Sequence, residues 1–360
     1  MPQKPSPTTR APSRRPTRPA SAVATGEAFD EIVGLIQAAR ERTFQAVNTA
    51  LIDLYWNVGH YISHKLATAE WGEGTIPRLA AHIARRHPDI KGFTRSNLFR
   101  ARQFYETYKN DSIVATLSRQ LPWSHNLLIL ARSRRSDERE FYLRMAARER
   151  WSYRELQRQL NGALFERTVL SPPKASPALT RTHPDALSLF KDTYLLDFLN
   201  LPDNHDETDL HRGLVKNLRR FLTELGRDFC YIGSEHRLQV GGTDFFIDLL
   251  FFHRGLNALV AIDLKIEDFQ PAHMGQLEFY LEALDRDVRK SHEKPSIGLL
   301  LCATKDDEVV EYALARSHSP ALVAEYELQL PDKKYLRAKL HEFYQLAAAR
   351  SRPDHSANPA

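Results

Sequence analysis

The chain has 360 residues, enough for two ordinary domains, and 42% of them are hydrophobic, so a sizeable core is available. Its formal charge of +5 leaves nucleic acid open as a partner, and its two cysteines are too few for a disulfide framework or a cysteine zinc cage. No apolar run approaches the roughly 18 residues of a membrane helix, so no membrane partner is expected, and a reducing cytoplasm is the expected setting.

The charge is unevenly spread. Lys4, Arg10, Arg14, Arg15 and Arg18 give the first 26 residues five basic groups and no acid. Residues 1–27 are rich in Pro, Ser and Thr and lack the apolar segment of a secretory signal. They read as a disordered basic arm. Residues 85–150 hold 15 Lys/Arg against 7 Asp/Glu, an excess of eight. That asymmetry points to a basic half facing nucleic acid. The plainer reading is a solvated basic surface with no partner.

From residue 28 to 170 the pattern is helical throughout. Phe29, Ile32, Val33 and Ile36 open an i, i+3, i+4, i+7 series that continues to Ile62. A shorter helix around Ile76–Ile83 follows, then Gly92, a turn, and Thr94 as a candidate N-cap. The helix behind Thr94 carries Arg95, Asn97, Arg100 and Arg102. A helix, a turn and a second helix opened by Ser, Asn and Arg is the layout of helix-turn-helix DNA readers. Many bundle helices also carry arginines on a solvated face, so spacing alone leaves both readings open. Residues 137–149 and 152–166 read as two more helices, the second with Ser152 and Glu155 as a capping box.

Ser171-Pro-Pro-Lys-Ala-Ser-Pro177 is the clearest breaker in the chain, and residues 171–185 read as a Pro-rich linker. A helix over about 207–225 follows. Four strand-like runs come next, at 229–240, 244–252, 258–266 and 296–303, with Gly241-Gly242 as a two-residue hairpin turn. Helices near 272–290 and 306–316 and a strand near 321–328 complete a mixed α/β sheet with helices on its faces over residues 186–346. Residues 347–360 read as a disordered tail.

The second and third of these strands carry the chemistry. Each is an apolar run with charge inside it: Asp248 in one, Asp263 and Lys265 in the other. An unpaired ion in a buried strand costs several kcal/mol, so the charges call for a reason. Asp263 and Lys265 are two apart and share a strand face. If the two strands form a hairpin, all three side chains converge. Two carboxylates suit Mg²⁺, which binds through one or two of them and keeps several waters, and the Leu264 carbonyl could add a ligand. Lys265 could orient a water or stabilise developing charge. Gln276 and Tyr280 lie four apart on one helical face, placed to support the site or touch a phosphate backbone. The competing explanation is a structural salt bridge within a sheet.

Asp248, Asp263-Leu-Lys265 and Gln276-Leu-Glu-Phe-Tyr280 resemble the pattern of the PD-(D/E)xK nuclease superfamily. Gly241–His253, Gly275–Leu281 and Ile297–Cys302 resemble one branch of it, the YhcG-type nucleases. Leu54-Tyr-Trp56, Gly92–Leu98, Arg102–Tyr108 and Leu121–Asn126 resemble that branch's N-terminal domain. The likeness covers roughly residues 30–340. It implies a restriction-endonuclease-like domain behind an all-α, helix-turn-helix-like domain. It further implies catalytic Asp248, Asp263, Lys265 and Gln276, a divalent ion (Mg²⁺, with Mn²⁺ as substitute) on Asp248, Asp263 and Leu264, and DNA as substrate. Arg95, Asn97, Arg100, Arg102 and Tyr280 become the expected nucleic-acid contacts. Recombination, repair or defence are the roles it suggests. A homodimer fits, because cutting both strands of a duplex takes two sites.

Two departures stand out. Asp263 occupies a position where the superfamily usually has Glu. His211 occupies the position of the family's first-helix Glu, and of the acids that could substitute, Glu207, Asp209 and Glu235, none matches by position. A catalytically weakened DNA-binding scaffold and a structure-specific resolvase are therefore the alternative readings.

Overall fold

The structure is a computed structural model that describes residues 20–350 apart from 73 and 203. Residues 1–19 of the expected basic arm and 351–360 of the expected tail lie outside the described residues. The chain divides into two compact units, one up to Trp123 and one from Ser124 onward.

The first unit is helical. Helix α1 (Ala20–Ala67) is followed by α2 (Thr75–Arg86), α3 (Arg95–Tyr108) and α4 (Ser112–Ser118). Residues 20–27, expected in the disordered arm, belong to α1; Pro19 ends the run of prolines, and Ala20, Ala22 and Ala24 favour helix. Ile52, Tyr55 and Ile62 of α1 pack with Ile76, Leu98, Ala101 and Phe104 as the core. Gly59 sets the α1–α3 spacing: a Cβ there would lie 2.1 Å from the Ala101 carbonyl oxygen. The Tyr55 ring stacks on Trp123, centroids 4.1 Å apart.

The second unit begins with helices α5 (Trp123–Arg132, counted from Ser124), α6 (Ser136–Arg148), α7 (Tyr153–Asn161) and α8 (Leu164–Leu170). Next come β1 (Lys174–Ala175), α9 (Pro177–Thr182), a 3₁₀ turn, and β2 (Thr193–Leu195). The rest is α10 (Glu207–Lys216), α11 (Leu218–Leu225), β3 (Phe229–Val240), β4 (Thr243–His253), β5 (Ala258–Leu264), α12 (His273–Asp287), β6 (Ile297–Cys302), α13 (Asp307–Ala315), β7 (Ala321–Glu327) and α14 (Lys333–Arg350). The strands form one mixed sheet in the order β1-β7-β6-β5-β4-β3, with β2 also on β7. Strands β5, β6 and β7 run parallel; β3, β4 and β5 form an antiparallel meander. Parallel strands covered on both faces read as unbroken apolar runs, and every residue of β5 and β6 is buried. Leu210, Leu214 and Phe221 cover one face of the sheet, and Leu277, Tyr280 and Leu284 of α12 cover the other. Gly241 and Gly242 both have positive φ, +58° and +83°, as a two-residue hairpin turn requires.

Besides the start of α1, and residues 347–350 of the expected tail, which belong to α14, the structure differs from the sequence reading at three places. The expected linker is part of the sheet: Lys174 and Ala175 pair with Val323 and Leu322 of β7, and Ser176 Oγ donates to the Ser319 carbonyl, 2.7 Å. Its prolines are compatible because β1 is an edge strand. The expected single helix over 207–225 is broken at Asn217 (φ −107°, ψ 26°).

Third, residues 124–170 pack with the sheet, held by a buried ionic cluster. Arg158 Nη1 donates to Glu224 Oε2 at 2.8 Å, and its Nη2 to Asp197 and the Leu195 carbonyl, both at 2.7 Å. Lys191 Nζ donates to Glu224 Oε1, 2.8 Å. The Glu224 side chain is fully buried. Burial pushes its carboxyl up, but Lys191 and Arg158 outweigh that and hold it at about 2.

Candidate active site at the β4–β5 hairpin

Antiparallel pairing of Leu249 with Ile262 and Leu250 with Ala261 fixes the register of the hairpin. One further step sets Asp248 opposite Asp263, and directly opposed residues share a face. The backbone N–H of Leu264 donates to Asp248 Oδ2, 2.7 Å, which fixes that carboxylate against β5. Lys265 lies one residue past β5, but its N–H still donates to the Leu301 carbonyl, 2.9 Å, so it keeps the strand alternation. Its ammonium therefore returns to the Asp263 side, 3.1 Å from Oδ2. The three charges expected to meet do meet.

The site is largely desolvated. Asp263 is 2% exposed. Burial raises its carboxyl to about 6, against the pull of Lys265 and with a further push from Asp248. Asp248 is likewise raised by burial, opposed by the Leu264 N–H, Lys265 and His211. Burial would lower the Lys265 ammonium, but Asp263 holds it up.

Two observations bear on whether a divalent ion fits. Asp263 Oδ2 is buried with no well-directed hydrogen-bond donor, since its contact with Lys265 is an ion pair without hydrogen-bond alignment. Lys265 Nζ also donates to the Leu264 carbonyl, 3.1 Å, so one cation already gathers two of the three expected ligands. The donors are all oxygens, the preference of a hard cation. Among the described residues no three His, Cys, Asp or Glu side chains form a metal-binding group. Two carboxylates and a carbonyl therefore suit a hydrated divalent cation and do not form a full protein cage.

The remaining expected residues are placed as follows. Gln276 is exposed on α12, and its Nε2 donates to the Tyr280 hydroxyl, 2.5 Å. Tyr280 is buried beneath the site among the α12 and β5 side chains. It is therefore a wall of the site and not a surface for a phosphate backbone, a correction to its expected role, because helical period gives the face but not the depth. His211 Nε2 hydrogen-bonds to the Asp248 carbonyl, 3.2 Å. Glu207, also on α10, acts electrostatically on both Asp263 and Lys265. Glu235 lies across β3 at the register position of Asp248, in the left-handed region at φ +48°. A β-bulge after Tyr231 sets that register, which sequence alone did not signal.

In the first unit, α2 and α3 are separated by residues 87–94, a longer connection than the usual helix-turn-helix turn. Thr94 Oγ1 accepts from the Asn97 N–H, 3.3 Å, the expected cap. The Asn97 side-chain amide donates inward to the Gly92 carbonyl, 2.8 Å, and so serves the turn. Arg95 lies over the Phe99 ring and Arg102 pairs with Glu106 at 2.8 Å. Arg95 and Arg100 are exposed and Arg102 half-buried.

A mixed sheet carrying two opposed aspartates and a lysine, preceded in the chain by a helical region, is the layout of a PDDEXK nuclease. Residues 187–341 match the family model for the YhcG PDDEXK nuclease domain, and residues 31–167 that for the DUF1016 N-terminal domain. The Escherichia coli (strain K12) protein called "Putative nuclease YhcG" is 33% identical over 347 residues, spanning 86% of this chain and 92% of that one. The chain belongs to this YhcG family. Two solved structures are also similar. "Crystal structure of a repair endonuclease from Pyrococcus abyssi" matches at 14% identity and TM-score 0.24, over 36% of this chain and 50% of that one. "Structure of EndoMS in apo form" matches at 16% and 0.23, over 37% and 49%. The chain thus spans about half the length of those solved chains. Among the described residues no helix is long and apolar enough to cross a membrane.

Proposed function

We propose that the chain is a divalent-metal-dependent DNA endonuclease, with Mg²⁺ as the working ion and Mn²⁺ as a substitute. The observation that carries this reading is the convergence of Asp248, Asp263 and Lys265 at one desolvated point of the hairpin, with Lys265 Nζ 3.1 Å from Asp263 Oδ2. Asp248, Asp263 and the Leu264 carbonyl would hold the ion. Bound there, it would supply an activated water and offset the charge of the phosphate. The Leu264 N–H keeps the Asp248 carboxylate in place. Lys265 is a donor for a phosphate oxygen or for the attacking water. The Gln276 amide, exposed on α12 and bonded to the Tyr280 hydroxyl, would be a second donor. Arg95, Arg100 and Arg102 on α3 supply phosphate contacts, which position a protein on DNA without reading sequence. Two chains acting together would cut both strands. DNA recombination, repair or defence is the setting such an activity serves.

A second reading, a weakened nuclease acting as a DNA-binding scaffold, draws on His211. Where the family has an acid, an imidazole bonds the Asp248 carbonyl and adds no carboxylate. Incubating the full chain with plasmid and branched oligonucleotides in Mg²⁺, Mn²⁺ or EDTA separates the two. Metal-dependent cleavage supports the endonuclease. Binding without cleavage under every condition leaves the scaffold.

A further inference from the structure

Helix α1 carries a run of exposed apolar residues that its own unit does not cover. The helix has 48 residues and a length of about 72 Å, against about 21 Å for α3, the helix it packs on. Its inward contacts start near Asn48, whose Nδ2 donates to the Leu121 carbonyl, 2.9 Å. They continue through Ile52, Tyr55, Gly59 and Ile62. Overlapping that buried stripe and extending it toward the N-terminus runs an exposed one. At about 100° per residue, Val33, Ile36, Phe44, Val47, Leu51 and Leu54 fall within one sector about 80° wide. Leu35, by the same count, falls outside it. All six are exposed, from 39% at Leu51 to 69% at Phe44. A contiguous apolar stripe of this length on a protein surface marks an interaction site.

The spacing identifies the occupant. From Phe44 onward the residues follow intervals of three, four and three, and the gap between Ile36 and Phe44 is bridged by Arg40 at four and four. Steps of three and four, here with one consecutive pair of fours at Arg40, are the spacing of a coiled-coil seam, in which side chains of one helix enter holes of another. Such a seam is complemented by an identical one, and each further copy of the chain brings it. The area agrees. The six side chains expose on the order of 600 Å², and with the flanking polar groups a helix pair also covers, this approaches the roughly 800 Å² per partner of a standard interface. A charged residue at one seam position, here Arg40, is a known device for fixing register and copy number at some cost in stability.

We propose that the exposed stripe of α1, from Val33 to Leu54, is the interface through which two copies of this chain associate. The pairing stands apart from the nuclease reading, and its test involves no cleavage. Sedimentation of the full chain over a range of concentrations gives the species present. The expected mass is that of two chains. Phe44→Glu with Val47→Glu raises the dimer dissociation constant by roughly a hundredfold or more, while far-ultraviolet circular dichroism stays as in the wild type and shows the chain still folded. Val47→Glu alone does the same more weakly. Leu35→Glu, exposed but off the stripe, leaves the dimer intact. A wild type that stays monomeric throughout overturns the proposal. So does a dimer that survives the double substitution, or one that Leu35→Glu disperses equally.

Discussion

The Lys265 ammonium lies 3.1 Å from Asp263 Oδ2, with the lysine side chain 12% and the aspartate 2% exposed. A lysine in that position either balances a buried carboxylate or serves the reaction, and replacement distinguishes the two. A purely balancing lysine makes Lys265→Met costly by a few kcal/mol, because a buried charge loses its partner. A lysine that serves phosphate or water is replaceable in the balancing role once a divalent ion is bound. We expect Lys265→Met in Mg²⁺ to melt close to the wild type and to lose roughly a hundredfold in single-turnover cleavage. A large drop in melting temperature in Mg²⁺ with cleavage retained makes the lysine structural.

Proton and metal compete for Asp263. Burial raises its carboxyl from 3.8 to about 6. A raised acid holds its proton in the folded state, so its contribution to stability is complete below pH 3.8 and is lost as pH rises through about 6. Metal requires the ionised form. Mg²⁺ affinity, followed by calorimetry or by the melting-temperature rise on adding Mg²⁺, should increase as pH rises through about 6 and level off above it. An affinity flat between pH 5 and 8 contradicts the assignment of Asp263 as a ligand.

Glu224 ties helix α7 to the sheet. Its carboxyl is held at about 2, below its ordinary 4.5, so the stability it contributes is present above pH 4.5 and is lost as pH falls through about 2. Glu224→Gln leaves Arg158 and Lys191 without their shared acid, and a broken buried pair costs roughly 3–5 kcal/mol. Chemical denaturation should show a loss of that size at pH 7. A loss within ~0.5 kcal/mol, the range of an ordinary surface change, contradicts the structural role given to the cluster.

The α3 arginines are expected to bind DNA through charge. Replacing Arg95, Arg100 and Arg102 with alanine in the full chain should weaken duplex binding evenly across sequences. The slope of log affinity against log salt should become shallower by about one for each phosphate that is no longer neutralised. An unchanged slope moves the DNA-binding surface elsewhere.

Much of the site was legible because each of two apolar runs carried a charge, which a buried strand excludes unless another group answers it. Period-two alternation placed Lys265 with Asp263, and Gly241-Gly242 announced the β3–β4 turn. Other features depend on long-range packing that local sequence does not encode. A two-residue strand such as Lys174–Ala175 has no periodicity, so its prolines read only as a breaker. The hydrophobic spacing from Leu210 to Leu225 runs through the break at Asn217 without changing phase. The attachment of residues 124–170 to the sheet rests on Arg158 reaching Glu224, 66 positions away. Glu235 comes level with Asp248 only through the register of β3, which its bulge alters.

The most direct test of the central claim is single-turnover DNA cleavage by wild type, Asp248→Asn and Asp263→Asn, with duplex affinity measured on the same preparations. Each substitution keeps the size of the side chain and removes one of two carboxylates from the proposed metal site. The expected result is Mg²⁺-dependent cleavage by the wild type, loss of cleavage by roughly a thousandfold or more in each variant, and DNA affinity within about threefold of the wild type. Cleavage by Asp263→Asn at the wild-type rate would contradict the metal-dependent site.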